Sequence, residues 1–404
     1  KFTNNVINLK KFDQEVEAVL KKELIKQSTN LNLIASENLI SKAILEAQAY
    51  ILINKYAEGY PQRRYYGGCQ YADEIEELAQ QRTKEIFKAE HANVQPHSGT
   101  QANMAVYLSA LKTKDTILSM SLSQGGHLSH GSLVNFSGKL YNFIHYGVSQ
   151  SNEQIDIEEV RNIARINKPK LIVCGASSYP RIINFKEFKE VADEVGALFL
   201  ADIAHIAGLV AADLHPNPVK YADFVTMTTQ KTLRGPRGGI ILCKKEFADK
   251  IDKAIFPGVQ GGPAMHTIAA KAVCLKEAKE DKFVEYQKQV IRNSQCLARE
   301  IGNKKFRIVS GGTDNHMVLI DLTSKGITGK DAQQLLENSN IIVNKNVIPF
   351  DKNPANIASG IRLGTPFITS QGIKEDEIIE ISNLINKCIT KRQNVKNEVK
   401  KLCS

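Results

Sequence analysis

The chain has 404 residues, 42% hydrophobic and 24% charged, with a formal net charge of +10. That length exceeds one ordinary compact core and predicts two domains in a soluble globular protein. The longest apolar stretch, Leu198 to Leu214, is broken by Asp202, His205 and Asp213 and falls short of the roughly 18 residues of a membrane span.

In chain order, residues 1 to about 28 read as an amphipathic helical arm with Val16, Val19, Leu20 and Leu24 on one face. A helix is expected over 73 to 90, opened by Asp73 and Glu74 and carrying Ile75, Leu78, Ala79 and Ile86 at helical spacing. From there to about 245, short β-rich runs alternate with helical patterns. The runs are Thr116 to Met120, Leu171 to Cys174, Leu198 to Asp202, Phe224 to Thr226 and Gly239 to Cys243. Such alternation predicts crossover helices on both faces of a mostly parallel sheet. A long helical pattern over 265 to 301 forms a bridge. Strands at His316 to Leu322, Ile341 to Asn344 and Gly360 to Leu363, with helices near 329 to 338 and 374 to 401, predict a smaller α+β domain. The expected division is an arm over 1–28, a large domain over 29–275 and a C-terminal domain over 276–404.

The seven cysteines form no C-x-x-C pair, which predicts reduced thiols in a cytoplasmic protein. No basic-then-apolar pattern stands at Lys1, so no secretory signal is expected. The lysines are spread along the sequence without an aromatic-and-basic motif, so no nucleic-acid partner is expected.

Three stretches carry chemistry. Val94 to Asn103 contains a Ser98-Gly99-Thr100 turn opening a helix, where free backbone N–H groups and two hydroxyls suit a phosphate. In Ser123 to Gly131, two glycines admit a ligand and His127 can lie flat on an aromatic ring; no Cys, Asp or Glu stands beside His127 and His130 to make a metal site, so no metal is expected. Asp202 ends one strand and Lys231 follows the next. A carboxylate that keeps a pyridine nitrogen protonated and a lysine that joins an aldehyde are the requirements of pyridoxal 5′-phosphate. Burial beside cationic Arg237 would lower the amine's pKa. Arg362 offers a guanidinium fork for a substrate carboxylate. The Tyr56 to Gly68 loop sets four tyrosines around Glu58.

Taken together, these stretches resemble the serine hydroxymethyltransferases, fold-type-I pyridoxal phosphate enzymes. Further parts of the resemblance are Leu33 to Asn38, Phe256 to Pro263, Gly312 to His316 and Ser359 to Pro366. The resemblance implies an α/β fold with a mostly parallel seven-stranded sheet. It implies reversible transfer of the hydroxymethyl group of L-serine to tetrahydrofolate, giving glycine, in a homodimer with active sites shared between subunits. Lys231 would hold the cofactor, Asp202 its ring nitrogen, and His127 would stack on the ring. Ser98, Gly99 and Thr100 would take the phosphate, with Tyr56 and Gly262 from the neighbouring subunit. Ser177 and His205 would bond the phenolic oxygen or the substrate side, with Thr228 also in the catalytic set. Arg362 and Ser36 would grip the substrate carboxylate; Glu58 and Tyr65, from the partner, would handle protons at the hydroxymethyl group. Leu122, Gly126, Leu128, Asn346 and Phe256 would line the folate site.

The chain departs from that pattern at Gln230, where a histidine is usual, and at Met227, Phe367 and Gln371. A glutamine can hydrogen-bond like a histidine but cannot titrate between pH 5 and 8. A threonine aldolase or aminotransferase would share the cofactor; Asn346 and the Gly-Gly-His-Leu loop argue for folate.

Overall fold

The computed structural model describes residues 9–403; the part of the expected arm over residues 1–8 lies outside the described residues. Seven strands form the central sheet: β1 His91–Asn93, β2 Thr116–Met120, β3 Asn142–Tyr146, β4 Leu171–Gly175, β5 Leu198–Asp202, β6 Phe224–Thr228 and β7 Gly239–Cys243. Their order is β1-β7-β6-β5-β4-β2-β3. The run from β3 to β6 is parallel, whereas β7 is antiparallel to both β6 and β1. The sheet is therefore mostly parallel, as expected.

Strands β4, β6 and β7 are buried at every position, because helices cover both faces. The period-two alternation of a strand divides each between two cores. Ile172, Cys174, Phe199, Ile240 and Leu242 face one layer; Leu171, Val173, Leu200 and Ile241 face the other, against Tyr107 of helix Gly99–Ala110. After β3 the chain returns to the far side of β2, so the order reverses between β2 and β4. The crevice beyond the carboxyl ends of strands at such a reversal is where ligands bind in open α/β sheets.

A second sheet, β8 Arg307–Ile308, β9 Met317–Asp321, β10 Asn344–Asn346 and β11 Gly360–Gly364, is antiparallel in the order β8-β9-β11-β10. Val318, Ile320, Ile361 and Leu363 pack there with Leu336 and Ile381. Leu31 and Leu33 join this core, as Leu31–Asn32 pairs with Ile341–Ile342.

Several expected elements differ. The 265 to 301 pattern is two helices, Met265–Glu277 and Asp281–Asn303, because Glu280 takes an extended backbone as the cap of the second. The expected 341 to 344 strand serves two sheets. Strands β1 and β3 were not legible: one has three residues, the other is an edge strand with four of five side chains partly or fully open. Helix Gln70–Phe87 stops at Lys88, and Glu375–Lys391 at Arg392, both left-handed at φ 59 and φ 53. The arm is broken at Asp13 into Leu9–Phe12 and Gln14–Thr29. Val16, Val19, Leu20 and Leu24 are all exposed on it. Among the described residues no helix is long and apolar enough to cross a membrane.

Candidate active site

A cavity of about 410 Å³ opens at the carboxyl ends of β4, β5 and β6. The sequence places its groups there by strand endings. Strand β5 stops at Asp202, β6 stops at Thr228 just ahead of Lys231, and β4 leads into Ser177.

Asp202 is the anchor. Its side chain is 9% exposed, and Oδ2 accepts from Nε2 of His130 and Nδ2 of Asn103, both at 2.9 Å. Oδ1 accepts the N–H of Ala204 at 3.0 Å. Burial alone would raise its pKa, but the His130 hydrogen bond and charge, with His127 and Asn103, hold the carboxyl well below the ordinary carboxylate range. It stays ionised, as a partner for a protonated ring nitrogen must.

Lys231 is 9% exposed. Burial draws its amine down to about 8 against the pull of Asp202, with Arg362 and Arg237 adding repulsion. The cation of Arg237 acts as the sequence implied, but burial and Arg362 weigh more. Thr228 donates to the carbonyl of Ala204 at 3.1 Å, tying the ends of β5 and β6 together.

The Ser98 turn does two jobs. The Ser98 hydroxyl caps helix Gly99–Ala110, accepting from the N–H of Gln101 at 3.2 Å. The N–H groups of Gly99 and Thr100, at its first two positions, have no acceptor within the helix and border the cavity. Gly99 has no room for a side chain, since a Cβ would lie 2.7 Å from the methyl of Thr228.

Arg362, on β11, reaches in from the second sheet. Its Nε donates to Oδ1 of Asn344 at 3.2 Å and Nη1 to the carbonyl of Ser177 at 2.5 Å. Among the described residues it forms no ion pair with a carboxylate, and burial pulls it down to about 10. Ser36 shares the same wall. His127 lines the cavity; burial and then His130 press its pKa to about 4, so the ring is neutral near pH 7. His205 stacks on His316 with Nδ1 to Nε2 at 3.2 Å. Both are pushed below the ordinary histidine value by burial and the charges of Lys231 and Arg362, His316 to about 3.

The cavity thus gathers Ser36, Ser98, Gly99, Thr100, His127, Ser177, Asp202, His205, Thr228, Lys231 and Arg362. It does not gather Tyr56, Glu58, Tyr65, Phe256 or Gly262. These form a separate patch on the same chain. The Tyr56 and Tyr66 hydroxyls donate to Glu58 at 3.4 and 3.3 Å, Tyr65 meets Phe256 edge-on at 5.4 Å, and Gly262 lies under the Tyr56 ring. Of the remaining residues, Leu122 and Leu128 are 43% and 47% exposed at the cavity-side loop. Gly126 is packed against the carbonyl of Met120, and Asn346 sits on β10. Sequence reasoning missed His130, Asn103 and His316. Asn103 stood inside the phosphate motif, and the three-residue spacing of His130 from His127 was the available signal.

The residues fit pyridoxal phosphate. An ionised, buried carboxylate, a lysine with a depressed pKa, a bare helix N-terminus and an arginine without an acidic partner meet in one cavity. The family model described as serine hydroxymethyltransferase matches residues 9–385; its members are fold-type-I transferases that use pyridoxal phosphate, with tetrahydrofolate as substrate. On this match over nearly the whole chain, together with the fold, the protein belongs to the serine hydroxymethyltransferase family.

Proposed function

We propose that the chain catalyses reversible transfer of the hydroxymethyl group of L-serine to tetrahydrofolate, giving glycine and 5,10-methylenetetrahydrofolate, as a cytoplasmic homodimer. The observation that carries the substrate half is Arg362, a guanidinium without a carboxylate partner in the same cavity as Lys231 and Asp202. An amino-acid carboxylate satisfies it, with Ser36 beside it.

Pyridoxal phosphate, when bound, supplies an electron sink for bonds at the substrate α-carbon. The N–H groups of Gly99 and Thr100 and the Ser98 hydroxyl would hold its phosphate, and Asp202 would keep its ring nitrogen protonated. His127 would pack on the ring as a neutral imidazole. Lys231, at about 8, parts with its proton far more readily than an ordinary lysine. Arg362 would grip the substrate carboxylate and so fix the orientation of the amino acid in the cavity. Ser177 and His205 would bond the phenolic oxygen or the substrate side. Tyr56 and Gly262 complete the phosphate site of a second subunit, and Glu58 and Tyr65 move protons at its hydroxymethyl group. Leu122, Gly126, Leu128, Asn346 and Phe256 receive the folate.

The test is serine turnover by cofactor-supplied protein with and without tetrahydrofolate. Glycine formation that depends on tetrahydrofolate is expected. Equal turnover without it, accompanied by cleavage of threonine, would instead make the chain an aldolase.

A further inference from the structure

A second lysine is buried behind the phosphate turn, outside the cavity. Lys271, on helix Met265–Glu277, is 1% exposed. Its Nζ donates to the carbonyls of Val94 at 2.6 Å, Pro96 at 3.0 Å and Gly239 at 2.8 Å. No salt bridge is formed by it among the described residues. A buried ammonium without a counter-ion is unfavourable, and burial draws it down to about 7 against the pull of Glu76. For stability alone, an apolar side chain in this helix would be the simpler solution.

The three carbonyls belong to two segments that the cofactor must bridge. Val94 and Pro96 lead into the Ser98 turn; Gly239 follows the loop that starts at Lys231. The two segments already touch, as the N–H of Gly239 donates to the Pro96 carbonyl at 2.9 Å. They touch closely because both glycines lack side chains. A Cβ at Gly239 would lie 2.5 Å from the Ser98 carbonyl, and one at Gly238 would lie 2.4 Å from Cε of Lys271. The lysine occupies the space a residue at 238 would need. Its charge also reaches the turn: after burial, it is the second cause lowering His97, next to Ser98.

We propose that Lys271 is a positioning residue for phosphate recognition. It pins the turn that takes the phosphate to the loop that carries Lys231, fixing the separation between the two ends of the cofactor. This rests on assigning the phosphate to Ser98–Thr100.

The discriminating measurement compares affinities for pyridoxal 5′-phosphate and for pyridoxal, which lacks the phosphate, in full-length wild type and Lys271→Met. The wild type should prefer the phosphorylated form strongly. In the variant that preference falls about tenfold, a change of about 1.4 kcal/mol, while pyridoxal binding stays the same. A purely structural lysine would lower the melting temperature and leave the preference intact, which would overturn the proposal. Should Lys271→Met not fold, Lys271→Gln, which keeps an amide donor, carries the same comparison with a smaller drop. A wild type that does not discriminate overturns the phosphate assignment as well; a discriminating wild type beside an equally discriminating variant overturns Lys271 alone.

Discussion

The Lys231 cavity and the Tyr56–Gly262 patch are built from the same chain in opposite ways. In the cavity, Asp202 has three hydrogen-bond partners, His205 has His316, and Lys231 is 9% exposed. In the patch, Tyr56 and Tyr65 are 57% and 73% exposed, and the Glu58 carboxylate accepts from the Tyr56 and Tyr66 hydroxyls. One region is buried and ties its acid and its histidines to neighbours within the chain, whereas the other turns aromatic faces outward with an acid between them. Exposed aromatic surface of this kind is what an interface covers. The contrast supports the proposal of a site divided between two copies. The apolar side chains of the arm, such as Phe12 at 77% exposed, extend the surface that a partner would cover.

The strongest way to break the comparison is to remove the cavity's amine. Lys231→Ala should lower kcat/KM for serine by about 10⁴ or more, since the covalent anchor is lost, and should abolish the cofactor's absorbance in the visible. Glu58→Gln should lose most activity yet keep that absorbance. Mixing the two inactive proteins then separates the regions. If the patch serves the partner's cavity, a hybrid dimer has one intact site and one doubly impaired site. A freely exchanged equal mixture should recover about a quarter of native activity. No recovery in verified hybrids would assign the patch to its own subunit.

Arg362→Met tests whether the cavity's unpaired cation exists for a substrate carboxylate. Removing one partner of a buried charge-assisted pair costs about 3 kcal/mol, so KM for serine should rise roughly a hundredfold. Cofactor affinity should change little, because the arginine reaches in from β11 and not from the phosphate turn. An unchanged KM would mean that Arg362 only braces Ser177 and Asn344.

A milder probe is pH. Lys231 must be neutral to capture the cofactor's aldehyde, and its pKa is lowered to about 8. Below that value the amine is protonated and capture slows tenfold per unit; above it, capture levels off. The capture rate of cofactor-free protein should therefore rise through about pH 8, well below the ordinary lysine value. In Arg237→Met the midpoint should move upward, since one of the repelling cations is gone. A midpoint above 10 in the wild type would mean that the cavity floods when empty.

How much of this could be read beforehand follows from how local each cause is. Strand β5 and strand β7 were legible to the residue because continuous apolar runs end at a polar or charged group. Strand β3 was not, because an edge strand with mixed exposure has no clean alternation, and its pairing to β2 is a tertiary event. Asp202, Lys231 and Ser98 were legible as chemistry at strand and helix ends. The bonds from His130 and Asn103 to Asp202 were not, since they join positions 72 and 99 residues apart. Lys271 was invisible for the same reason: an apolar helix hides one lysine, and only the fold brings three carbonyls to it.

Position 230 gives the smallest expected effect. Gln230 borders the cavity beside Lys231, and its Oε1 accepts the N–H of Gly238 at 3.3 Å. The amide thus helps hold the loop that Lys271 braces from behind. It does so at every pH, because an amide does not titrate. Gln230→His can restore the acceptor through one ring nitrogen, so the rate near pH 8 should stay within about threefold. Between pH 5 and 8 the imidazole would gain a proton and its acceptor would become a donor facing the Gly238 N–H. The variant's pH–rate profile should then show a step in that range that the native enzyme lacks. Superimposable profiles would mean that the Gly238 contact does not govern the rate, and that the loop is held by Lys271 and the Pro96–Gly239 bond instead.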